Sequence, residues 1–221
     1  MVAGGSGRRF GGPKQFLPLA GLPVAAWSVR AARSVAEGVV LVVPGGDCDA
    51  PGEGLPVPGS TGDAAFGASS VVAGGPTRAA SVRAGLAAVP GDAAVIVVHD
   101  AARPLAPPSL FASVVDAVRS GGVDGAAPVM PVADTLKRVE DGRVLETVDR
   151  AGLVAIQTPQ AFAASALRAA HRDGGEATDD AGLLEAAGLV VGTVEGDPRN
   201  LKLTRPEDLV LAEALLSGAD R

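Results

Sequence analysis

Short, almost wholly apolar runs alternate along the chain with longer stretches whose apolar residues recur at helical spacing. VVLVVP (39–44), SVVAGG (70–75), AVIVVHD (94–100) and AAPVMPV (126–132) are too apolar to keep one face wet. That is the pattern of parallel strands covered on both sides. PVAAWSVRAARSV (23–35), TRAASVRAGLAAV (77–89) and PSLFASVVDAVRS (108–120) read as the intervening helices, with Pro23 well placed at a helix start. Strand and helix in alternation predict a Rossmann-like three-layer α/β sandwich around a mostly parallel sheet. Ligands of such sheets sit beyond the C-terminal strand ends. The segments around Gly5, Gly75 and Asp100 each follow a strand, so the pattern sends all three to one rim.

Residues 134–150 break the rhythm. LKRVEDGRVLETV carries two β-compatible runs around Asp141-Gly142, the signature of a hairpin. Inserted in an α/β domain, it predicts a protruding arm whose apolar residues need a partner surface. Beyond it, PQAFAASALRAAH (159–171) and DDAGLLEAAG (179–188) read as helices and LVVGTVEG (189–196) as a strand. RPEDLVLAEALL (205–216) reads as a last helix, with Thr204 as N-cap and Glu207 and Asp208 in its first turn, where they suit the helix dipole. GDCDAPGEGLPVPGSTGD (46–63) is rich in Gly and Pro and predicts an exposed loop. There is no internal repeat, and the 221 residues suit one domain over 1–221.

Composition narrows the function. A net charge of −6 argues against nucleic-acid binding, which needs a broad positive face. Cys48 is alone and His99 and His171 are the only histidines, so neither a disulfide framework nor a zinc cluster is expected. No apolar run reaches the roughly 18 residues of a membrane span, and no signal-peptide stretch opens the chain. These features predict a soluble, cytoplasmic protein.

GGSGRRFGGPKQF (4–16) concentrates five glycines with Arg8, Arg9 and Lys14. It is no Walker loop, since Lys14 is followed by Gln15 and has no glycine before it. Nor is it the dinucleotide fingerprint, since Gly5 and Gly7 are followed by Phe10, with Gly11 one position late. Three cations suggest a ligand more charged than a pyrophosphate, such as a triphosphate, against the blander reading of a solvated terminus. Other clusters add weight. GGPTRAASV (74–82) follows a strand with a glycine pair, then Arg78 and Ser81. HDAARP (99–104) puts Asp100 and Arg103 at the end of the most hydrophobic strand, where a helix cap and a surface ion pair are the plain alternatives. NLKLTRPEDL (200–209) sets Lys202 between Leu201 and Leu203, so alternation turns it to the opposite side.

Eight segments in order, AGGSGRRF…PKQF, GGPTRAASV, HDAARP, ADTLKRV, TVDRAGL, QTPQAF, ATDDAGLLE and NLKLTRPEDL, make the chain resemble the 2-C-methyl-D-erythritol 4-phosphate cytidylyltransferases. These belong to the glycosyltransferase-A-like nucleotidyltransferases and serve the non-mevalonate isoprenoid pathway. The resemblance implies transfer of CMP from CTP to a polyol phosphate with a divalent cation, Mg²⁺, and release of pyrophosphate. It implies that Arg9 and Lys14 stabilise the transition state and that Ala3, Gly4, Gly5 and Gly7 pack against CTP. Gly75 and Ser81 would read the cytosine, and Asp100 and Arg103 would contact the ribose and phosphates, Asp100 also helping to hold the metal. Thr135, Arg150, Thr158 and Lys202 would form the acceptor pocket, Arg150 and Lys202 positioning it for in-line attack. The arm over 134–150 would embrace a second subunit of a homodimer, Thr135 and Arg150 completing the neighbour's site.

The chain departs from the family pattern in three places. Only Met1 and Val2 precede Ala3, so the first strand is expected to be cut short, as after a mis-assigned start or a truncation. Pro76 follows Gly75 where relatives often carry an acid, and the stretch from Phe10 to Pro13 is short. Two rival readings stand beside the main one: a cytidylyltransferase for another acceptor such as ribitol phosphate, and a nucleotide-binding protein without activity.

Overall fold

The computed structural model describes residues 1–5, 10, 12–45, 61–62, 65–172 and 174–218. Ahead of the strands runs a turn of 3₁₀ helix over Lys14–Phe16, followed by a tight hairpin of β1 (Pro18–Leu19) and β2 (Leu22–Pro23). The reversal uses Ala20 and Gly21, both at positive φ. Helix α1 (Val24–Arg33) then leads to β3 (Val40–Val43), which pairs in parallel with β4 (Ser70–Ala73). Most of the predicted loop over 46–63 lies outside the described residues.

Helix α2 (Arg78–Ala88) begins at Thr77, whose hydroxyl oxygen accepts the Ala80 amide at 3.1 Å. Strand β5 (Val95–Val98), α3 (Pro108–Arg119) and β6 (Gly125–Pro131) follow as the apolar pattern predicts. Beyond the hairpin of β7 (Leu136–Glu140) and β8 (Arg143–Val148) come β9 (Val154–Ile156), β10 (Gln160–Ala163) and α4 (Ala164–Ala170). The chain closes with α5 (Asp180–Ala186), β11 (Val191–Glu195) and α6 (Pro206–Ser217).

Two expectations are corrected here. The stretch 159–171 is not one helix: Gln160–Ala163 forms β10, antiparallel to both β5 and β6, and only then does α4 begin. Its residues Gln160, Ala161 and Phe162 are buried, and a short run covered on both faces carries no periodicity that separates strand from helix. The sheet is accordingly mixed, with β9 also antiparallel on β6 while β11 lies parallel to it. At α6 the N-cap is Arg205 rather than Thr204. The Asp208 carboxylate turns back to accept the Arg205 and Thr204 amides at 2.8 and 2.6 Å and the Thr204 hydroxyl at 2.9 Å.

The first residues occupy the centre. Val2 bridges in parallel to Val42 on one side and Asp100 on the other. Ala3 donates to the Val42 carbonyl at 2.7 Å, Val2 to that of His99 at 2.8 Å, and the Ala101 amide returns to Val2 at 2.9 Å. This stub joins the β3–β4 pair to the sheet ordered β5-β10-β6-β11.

Alternation along the strands feeds separate cores. Ile96, Val98 and Phe162 pack with Val82 and Leu86 of α2, Leu167 of α4 and Leu184 of α5. Val97 packs among Ala25 and Val29 of α1 and Phe111 of α3, and Ala161 beside Val114 and Val118. A smaller cluster of Leu19, Val24, Leu203 and Ala212, with Trp27 and Leu201 against it, ties the first hairpin and α6 to the segment before α6. No helix among the described residues is long and apolar enough to cross a membrane.

Candidate active site

Strand direction decides what meets at the rim. The stub, β3, β4 and β5 run in parallel, so Gly4-Gly5, Gly45, Gly74-Gly75 and His99-Asp100 all emerge at C-terminal strand ends. Strand β10 runs the other way, so its entry residues Gln157 and Thr158 lie at the same rim. The convergence expected of the segments around Gly5, Gly75 and Asp100 is what the structure shows.

The glycine turns pack tightly around Ser81. A Cβ on Gly74 would stand 2.8 Å from the Ser81 hydroxyl, and one on Gly75 only 2.5 Å from the Ala80 Cβ. Ser81 is buried, and its oxygen accepts the Gly75 amide at 3.2 Å and lies 3.0 Å from the Thr77 carbonyl. It therefore braces the Gly75 turn from behind. Among the described residues a Cβ on Gly5 would meet nothing within 4 Å. The buried Gln15 amide donates to the carbonyls of Ala3 at 2.6 Å and Gly5 at 3.1 Å, pinning the ends of the described glycine loop.

Asp100 is the electrostatic centre. Lys202 Nζ donates to its Oδ2 at 2.7 Å, and Arg78 Nε stands 3.5 Å from Oδ1. Burial raises its pKa, but the attraction of Lys202 and Arg78 prevails and holds it down at about 2. Arg78 in turn pairs with the buried Asp180 at 2.8 Å, and Asp180 accepts from the buried His171 at 2.8 Å. Burial works against the Arg78 charge, yet Asp180 and Asp100 raise its pKa overall. Lys202 points away from the buried Leu203, as the alternation predicts, and its side chain is 45% exposed. Lys14 joins the same rim from the other side, donating to the Leu203 carbonyl with Nζ 5.8 Å from the centre of the Phe10 ring. Arg103 Nη1 donates to the Asn200 carbonyl at 2.7 Å.

Of the predicted site residues, Ala3, Gly4, Gly5, Gly75, Ser81, Asp100, Arg103, Thr158, Lys14 and Lys202 thus belong to one rim. Arg9 and Gly7 lie outside the described residues. Thr158 is buried with its hydroxyl 3.1 Å from both the Asp100 amide and His99 Nδ1, so it supports Asp100 from inside. Thr135 and Arg150 stand apart, exposed at the base of the β7–β8 hairpin, where Arg150 donates to the carbonyls of Val132 and Ala133. Arg78 was visible as a cation after the glycine pair, but its link to Asp180 and His171 depends on the packing of α2 against α5.

The sequence model described as 2-C-methyl-D-erythritol 4-phosphate cytidylyltransferase matches residues 1–218. The chain belongs to that family. The enzyme of that name from Cereibacter sphaeroides (strain KD131) is 46% identical over 226 residues, covering 99% of this chain and 96% of the relative. That of Frankia casuarinae is 45% identical over 230 residues, covering 100% of this chain and 81% of the relative. The crystal structure of the enzyme from Thermus thermophilus superposes with a TM-score of 0.77 at 38% identity, over 93% of this chain and 94% of that one. Family membership makes the chain a nucleotidyltransferase, and the reading as a binding protein without activity is not favoured.

Among the described residues no group of three or more His, Cys, Asp or Glu side chains is arranged to hold a metal. A single carboxylate at a phosphate site still suits Mg²⁺, which takes its other ligands from phosphates and water. Asp100 fits that requirement, an ionised carboxylate already turned toward cations at the rim.

Proposed function

We propose that this protein transfers CMP from CTP to 2-C-methyl-D-erythritol 4-phosphate. The phosphate oxygen of the acceptor attacks the α-phosphorus of CTP in line; the new O–P bond forms as the bond to the bridging oxygen breaks, and pyrophosphate leaves. The observation that carries the reading is the convergence of Lys14, Asp100, Arg103 and Lys202 with the glycine turns at the strand-end rim.

The nucleophile is already ionised at neutral pH, so no general base is required, which accords with two histidines that are both buried. Catalysis rests on alignment and charge neutralisation. Lys14, with Arg9, stabilises charge on the α-phosphate, and Ala3, Gly4, Gly5 and Gly7 let the nucleotide approach the backbone. Gly75 reads the cytosine, its turn held by Ser81, and Arg103 lies on the ribose and phosphate side. Asp100 is the carboxylate that would hold a divalent cation, which when bound would supply further charge neutralisation at the phosphates. Lys202 exchanges Asp100 for the acceptor phosphate.

Arg150 and Thr135 complete the acceptor pocket of a second copy. In support, the hairpin that carries them is solvent-exposed, with Val139, Val144 and Leu145 at 56%, 61% and 55% exposure. Residues 1–221 then form one three-layer nucleotidyltransferase domain whose 134–150 arm protrudes to make a cytoplasmic homodimer.

Pyrophosphate release measured with CTP and either methylerythritol phosphate or ribitol phosphate tests the acceptor. The former is expected to react faster. Equal or reversed rates would remove the acceptor assignment, and CTP binding without turnover on either would return the chain to a binding role.

A further inference from the structure

His99 is absent from every role assigned above, yet its ring is the best-connected imidazole at the rim. It is 1% exposed and stacks at a tilt of 54° on Phe111, with ring centres 4.9 Å apart. Nδ1 lies 3.1 Å from the Thr158 hydroxyl and Nε2 3.1 Å from the Arg103 carbonyl.

The protons on this chain are fixed by elimination. The Asp100 amide can only donate, and it does so to Thr158 Oγ1 at 3.1 Å. The Arg103 carbonyl can only accept, so Nε2 of His99 carries the proton. Nδ1 is then an acceptor, and the Thr158 hydroxyl donates to it. Of the two neutral tautomers, only this one satisfies every group.

The contacts also close on themselves. The Thr158 carbonyl accepts from Asn200 Nδ2 at 2.9 Å, the Asn200 carbonyl accepts from Arg103 Nη1 at 2.7 Å, and the Arg103 carbonyl returns to His99. Asn200 is wholly buried. Four residues from three distant segments thus form a ring, with Asp100 adjoining one member and Lys202 two positions beyond another.

We propose that His99, as the neutral Nε2–H tautomer, is a positioning residue for the transfer reaction, closing the Thr158–Asn200–Arg103 ring that sets Asp100 opposite Lys202. It touches no reacting atom and acts through the residues it holds. The kinetic part of this inference rests on the proposed transferase activity; the tautomer does not.

Long-range ¹H–¹⁵N correlation spectra of the ¹⁵N-histidine-labelled full chain read the tautomer directly, His99→Phe identifying which of two histidines is which. A pyridine-like Nδ1 and a pyrrole-like Nε2 are expected near neutral pH; the reverse pattern, or an imidazolium, overturns the proposal. His99→Phe keeps the ring stacked but leaves the Thr158 hydroxyl proton without its acceptor and takes from the Arg103 carbonyl its shortest contact, leaving it the longer ones from Ser28 Oγ at 3.3 Å and the Ala106 amide at 3.4 Å. It should raise KM for CTP and lower kcat/KM by about tenfold or more, the scale of stranding buried polar groups. His99→Asn restores an acceptor at the Nδ1 position and should recover most of the loss. Unchanged kcat/KM in His99→Phe, a fall in kcat that only tracks the folded fraction with KM unchanged, or no recovery in His99→Asn each overturn the positioning role. Should the wild-type chain turn over no CTP, the functional reading falls while the spectra still decide the tautomer.

Discussion

Lys14 reaches the rim because Pro13 and a single 3₁₀ turn deliver it there, and the Leu203 carbonyl holds its ammonium beside the segment that carries Lys202. Pre-set in this way, the charge costs little to immobilise when a phosphate arrives. Lys14→Ala should lower kcat by about 10² or more, on the scale of losing one transition-state donor. Near-normal turnover, measured by pyrophosphate release, would take Lys14 out of the catalytic machinery. The residues legible in the sequence were those whose local context marks them: glycine pairs after strands, a carboxylate closing an apolar run, a lysine between two leucines. Asp180, His171, Gln157 and Asn200 were not legible in that sense. Their importance lies in being buried and paired across α2, α5 and the loops around β10, and pairing across such distances leaves no pattern along the chain.

Among the elements, the β7–β8 hairpin was the easiest to foresee. Asp141 and Gly142 adopt φ of 47° and 74°, as a two-residue reversal between twisted strands requires. Within the described residues β7 and β8 pair only with each other, which alone is a marginal arrangement. Their outward valines and leucine continue toward Leu153, Val154 and Ile156, all exposed by 41% or more. If a second copy covers this surface, Val144→Lys should shift the protein toward monomer in size-exclusion chromatography and lower its activity together. A wild-type elution position combined with full activity would detach the arm from the site. Strand β10 was the hardest element to foresee. QAFA runs directly into ASALRAA, and only the ladder positions between β5 and β6 make the first four residues a strand.

At the scale of the molecule, alternation of strand and helix was enough to bring the candidate loops to one rim, because direction rather than strand count decides which loops meet. The electrostatic cost of the buried ring also becomes a property of the whole fold. Burial lowers the pKa of His99 from 6.5 to about 3, so the folded protein keeps it neutral while the unfolded chain binds a proton below about pH 6.5. Its contribution is complete above that pH and is lost progressively as pH falls toward 3. Asp100, held at about 2 against 3.8, loses its contribution only in the lower window, below about pH 4. Urea midpoints should therefore fall from about pH 7 to about pH 5, and His99→Phe should flatten that slope; an equal slope in both would deny the burial cost. The central stub has a consequence for synthesis. Met1–Ala3 are translated before the strands that flank them, and their hydrogen-bonding partners are residues 40 and 42 on one side and residues 99 and 101 on the other. The seam between the half-sheets cannot close until residue 101 has been made, and Gly4 and Gly5, which continue directly from it, are set in place only then.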